Sequence, residues 1–107
     1  MPDISAIWKE VKVSVTEYAE TKITEAVKES KSDAKRFLNL LKEKGERYSA
    51  AYIRGDLDKD DLEWLLLGVA DLTEMKALEK RGLAKVRVQR FTNGLVDVVL
   101  NTLLKAI

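Results

Sequence analysis

Ile4, Ile7, Trp8, Val11, Val15, Tyr18 and Ala19 recur at steps of three and four residues, with lysines and glutamates between them. That spacing draws one apolar stripe along an amphipathic helix, close to a coiled-coil heptad. Asp3 or Ser5 is placed to cap its start. Lys22 stands where the next core residue is due, and the stripe resumes one position later with Ile23, Ala26 and Val27. It then continues through Ala34, Phe37, Leu41, Tyr48 and Tyr52. Residues 29–33 are all polar, and Ser32 or Asp33 offers a second helix cap there, but no glycine or proline forces a break. Two readings follow: a break at residues 30–33, or one helix to about Arg54, roughly 75 Å long at ~1.5 Å per residue. Gly45 weakens either helix by ~1 kcal/mol relative to alanine.

Gly55 is the clear stop, suited to the left-handed position after a helix. Asp58 caps the next helix, with Asp60, Asp61 and Glu63 crowding its positive end. That helix should run to Lys80 or Arg81 and stop at Gly82. The last one starts at once, near Leu83 or Ala84, which predicts a tight antiparallel hairpin.

Both hairpin helices carry more apolar residues than one core-facing stripe needs. In residues 83–107, winding at ~100° per residue confines Arg87, Arg90, Asp97 and Asn101 to a narrow strip. Val96, Val99, Leu103 and Ile107 fall among the apolar residues that take most of the rest. In residues 58–81, Leu67 and Leu78 lie on the polar strip, and Trp64 is part of the apolar remainder. A helix that is apolar on most faces must be surrounded. Each large apolar side chain left in water forgoes ~1.5–3 kcal/mol of burial. The expectation is therefore self-association, with Trp64, Leu67, Leu78, Val96, Val99, Leu103 and Ile107 lining the contact. Arg87, Arg90, Asp97 and Asn101 would form a polar stripe that sets its orientation. Asn93, Asn101 and Thr102 are either buried register-fixing polar groups or part of a plain solvent strip.

Composition narrows the chemistry. The 107 residues are 46% hydrophobic and 35% charged, with a net charge of +1, which fits one soluble domain without a global attraction for polyanions. There is no cysteine and no histidine. That removes disulfides, thiolate nucleophiles, the usual metal ligand and the usual general base. The first residues lack a basic stretch followed by an apolar run, and no apolar run approaches the ~20 residues of a spanning helix. The expected compartment is cytoplasmic.

The motifs that invite a sharper reading each have a plainer one. Asp56, Asp58 and Asp60 match the first ligands of an EF-hand loop, but Asp61 and Leu67 stand where glycine and a bidentate glutamate are required. Helix capping accounts for the same acids. Arg54-Gly55-Asp56 spells an integrin tripeptide across what reads as a helix stop. Glu17, Glu20, Glu63, Asp71 and Glu74 lack the histidines of a carboxylate di-metal bundle. Lys76, Lys80, Arg81, Lys85, Arg87 and Arg90 gather at the hairpin tip without aromatics to stack bases. The helix carrying Trp8 and Tyr18 mixes both charge signs on its polar face, unlike a membrane-surface helix.

The fold expected is all-α: a three- or four-helix bundle in a single domain over 1–107. An amphipathic N-terminal helix or helix pair (1–54) packs on an apolar hairpin (58–107). The function expected is that of a non-catalytic structural or assembly protein, without catalytic residues, cofactor or metal, whose first partner is itself. A binding module for a partner protein's helix or a membrane surface is the alternative, and a nucleic-acid-associated protein ranks third.

Overall fold

The computed structural model describes residues 4–106, apart from the side chains of Ile4, Glu46 and Ala106. Five α-helices follow in order: α1 (Ile4–Lys22), α2 (Val27–Ile53), α3 (Lys59–Thr73), α4 (Lys76–Arg81) and α5 (Lys85–Ala106). A 3-10 turn at Thr24–Ala26 joins the first two. The described residues contain no strand and extend over 43 × 22 × 19 Å. None of their helices is long and apolar enough to cross a membrane.

The first chain reversal falls on neither of the two positions expected. It lies at Ile23, where Lys22 interrupts the apolar stripe and the phase slips by one residue. Residues 30–33 sit inside α2 and are polar for a different reason. Ser30 is fully buried and its hydroxyl donates to the carbonyl of Ala19 at 2.6 Å, in the last turn of α1. Asp33, equally buried, accepts hydrogen bonds from the backbone N–H groups of Ala77 and Leu78 at 3.0 and 2.8 Å. Those are orphan donors of the first turn of α4. The segment that resembles a break is a mid-helix surface serving the ends of two other helices.

The helix expected over residues 58–81 is two helices. Glu74 and Met75 both adopt left-handed backbone (φ 61° and 36°), which ends α3 and re-phases the chain before α4. Met75 has no side chain able to cap α4, and Asp33 takes that role from 42 residues upstream. The remaining boundaries follow the sequence signals. Gly55 (φ 85°) closes α2 with hydrogen bonds from its own N–H to the Tyr52 carbonyl and from Asp56 N–H to Ala51, the paired bonds of a Schellman stop. Asp58 and Asp61 exchange side-chain-to-backbone hydrogen bonds at the start of α3. Gly82 (φ 90°) ends α4, leaving only a short connection to α5.

α1 packs along both α2 and α5, while α3 packs on α2 and α5 and α4 packs on α2. The core runs through Val11, Val15, Phe37, Leu41, Leu62, Leu66, Phe91, Leu95 and Val99, all essentially inaccessible. Because α5 is held between α1 and α3, most of its apolar circumference is covered within one molecule, although Val86 in its first turn is 64% exposed.

Candidate functional site: the outer face of α3

Of the seven residues expected at a subunit contact, the structure divides the described six in two. Val96, Val99 and Leu103 are buried in the core of the single chain, where α1 and α3 flank α5. Leu78 is also fully buried, because the left-handed pair Glu74–Met75 turns it from the strip it would share with Leu67 toward α2. These four cannot line a contact with a second molecule while this fold is intact. Ile107 lies outside the described residues. Trp64 and Leu67 remain.

Trp64 is 74% exposed and Leu72, two turns further along α3, is 60% exposed. They are the largest apolar groups that the core leaves in water on this helix. With Leu65, Leu67 and Gly68 they border a shallow open cleft of about 420 Å³, closed on its other side by Lys44 and Tyr48 of α2. The local cause is simple. Leu62, Leu66, Val69, Ala70 and Thr73 satisfy the inward face of α3, so Trp64 and Leu72 are apolar residues without an inward position. Asp60, Asp61 and Asp71 are exposed around them. Lys59 is the sole basic residue of α3.

The polar strip of α5 lies on the surface of the single chain. Arg87, Arg90, Asp97 and Asn101 are all exposed. Arg87 pairs with Glu25 of the 3-10 turn, and Arg81 reaches the Glu25 carbonyl at 3.4 Å. Asn93 is exposed and accepts a hydrogen bond from Gln89 at 3.0 Å, while the Thr102 hydroxyl donates to the Val98 carbonyl of its own helix. The cations of the α4–α5 tip are partly answered in the same way, since Lys76 lies 3.4 Å from Glu74.

The acids at the start of α3 are engaged in the turn. Asp56 pairs with Arg54 at 3.1 Å, and Asp58 and Asp61 form the reciprocal cap. Among the described residues no group of three or more metal-ligating side chains converges.

Tyr18 and Trp8 of α1 are packing residues. The Tyr18 ring stacks on Phe91 with centroids 5.3 Å apart, and its hydroxyl donates to the Phe91 carbonyl at 3.2 Å. Burial, reinforced by the negative charge of Asp97, pushes its phenol above the ordinary value. No protein-family model, curated protein or solved structure shows significant similarity to this chain.

Proposed function

We propose that this protein is a non-catalytic interaction protein that associates with copies of itself through the outer face of α3. The observation that carries the proposal is Trp64: an indole 74% exposed beside Leu72, on a helix whose inward face is already complete. Tryptophan is the residue most prone to anchor a protein contact, because it buries a large rigid area at little entropic cost. Burying a side chain of this class stabilises by ~1.5–3 kcal/mol. The absence of histidine and cysteine from the sequence also argues for binding over catalysis, since it leaves few ways to pair a nucleophile with a base.

Size exclusion with light scattering tests this. The wild-type chain should give a mass above 12.1 kDa that rises with concentration. Trp64→Glu should return it to the monomer with unchanged helicity. A wild-type chain that stays monomeric throughout, or a Trp64→Glu variant that keeps the wild-type mass, would refute the proposal.

A further inference from the structure

The α3 face has a counterpart on the opposite flank of α2. Two adjoining depressions of about 370 and 420 Å³ lie between α1 and α2 and share Lys12, Lys35 and Leu38, so they form one groove. Its rims carry six lysines: Lys9 and Lys12 from α1, and Lys28, Lys31, Lys35 and Lys42 from α2. None of the residues lining it is acidic, and Glu20 meets Lys31 at its edge at 3.3 Å. Trp8 and Leu38, both half-buried, supply an apolar floor.

The net charge of +1 thus conceals a segregated distribution. The chain has 19 basic and 18 acidic residues. Setting the six groove lysines aside leaves 13 cations against those 18 anions. Part of that acidic excess is on α3. Winding at ~100° per residue puts Asp60, Trp64, Leu67 and Asp71 within about 60° of one another. The outer face of α3 is therefore an apolar ridge bordered by carboxylates, and the groove is an apolar floor bordered by ammonium groups. Their lengths also agree. The α2 lysines span residues 28–42 and α3 spans 15 residues, each ~21–22 Å at ~1.5 Å per residue.

The two surfaces cannot meet within one molecule. Lys44 and Tyr48 mark the side of α2 that borders α3, whereas Lys35, Leu38 and Lys42 mark the side that borders α1. We infer that the outer face of α3 in one molecule docks into the lysine-rimmed α1–α2 groove of the next. This is helix-in-groove recognition, with Trp64 and Leu72 over Trp8 and Leu38, and Asp60 and Asp71 among the lysines. The inference rests on the reading of α3 as the contact face and names its receptor. Such a contact is heterologous. After each addition the assembly still presents one free face and one free groove, so it proceeds to a ring or an open chain. A polyanion would feel the same lysines, but Trp8 is the single aromatic in the groove, which provides no series of stacking platforms for bases.

The test uses two variants of the full chain, both substituted at the surface and checked for helicity: Trp64→Glu, which disables the face, and Lys35→Glu with Lys42→Glu, which disables the groove. Light scattering should find each variant monomeric. An equimolar mixture should give a one-to-one heterodimer and nothing larger, because one intact face and one intact groove remain. The wild-type assembly should shrink between ~0.1 M and ~1 M salt, as the screening length falls from ~10 to ~3 Å. If the groove variant keeps the wild-type mass, or the mixture stays monomeric, the inference is overturned. The α3 reading still stands in that case provided Trp64→Glu dissociates the wild-type assembly. Loss of binding to labelled single-stranded DNA or to anionic vesicles in the groove variant, with its mass unaltered, would also overturn the inference and assign the groove to that ligand.

Discussion

Two glycines decide how α1 seats on its neighbours. A methyl group on Gly45 would lie 2.5 Å from Cη2 of Trp8, and one on Gly94 would run into the hydroxyl and ring of Tyr18. Each glycine is the notch that lets an aromatic of α1 approach a helix backbone closely. Gly68, on α3, has open space around it. The three positions should therefore respond oppositely to alanine. Gly94→Ala should cost ~1–3 kcal/mol by overpacking, since Tyr18 is already stacked on Phe91 and cannot easily retreat. Gly68→Ala should stabilise by ~0.5–1 kcal/mol through lower unfolded-state entropy. Urea unfolding of both variants checks the pair of signs.

Tyr18 also predicts an alkaline limit. Its folded pKa is raised by burial and by Asp97, so the folded state holds the phenol proton more tightly than the unfolded chain, where it ionises near ~10. That contribution is complete below ~10 and disappears as the pH rises through the folded value. Stability measured from pH 9 upward should fall more steeply in the wild type than in Tyr18→Phe, and equal slopes would contradict the assignment. The sequence shows Trp8 and Tyr18 as members of an apolar stripe. It cannot show the glycines beneath them, because their spacing matters only once two helices have met.

Among the elements, boundaries set by local chemistry were legible and those set at a distance were not. The Asp58 cap and the glycine stops at 55 and 82 act within a few residues, and they were readable. The register slip at Lys22–Ile23 was visible too, yet the polar run of residues 29–33 competed with it as a break. Ser30 and Asp33 are polar inside a helix because they satisfy Ala19 and the α4 N-terminus across the fold. The turn at Glu74–Met75 carries neither glycine nor proline, and its support comes from Asp33 on another helix. Asp33→Ala should strip that cap and leave the buried Leu78 N–H and the half-buried Ala77 N–H without an acceptor, at ~1–3 kcal/mol. Hydrogen exchange gives the specific readout. The amides of Ala77 and Leu78 should lose protection more than those in the middle of α5, and a uniform loss would contradict the local role.

For the whole molecule, the apolar surplus visible in the sequence resolves into two fates. In α5 it is absorbed by α1 and α3, apart from Val86 in the first turn. The wheel of one helix could not reveal this, because which neighbours cover it depends on tertiary order. In α3 it persists as Trp64 and Leu72. The central claim is that Trp64 is where copies of this chain meet. The chain has two tryptophans, Trp64 being 74% exposed and Trp8 half-buried, so the red-shifted, readily acrylamide-quenched share of the wild-type emission reports Trp64. The account predicts that this share is small at high protein concentration and grows on dilution. A share of the same size at every concentration would contradict it.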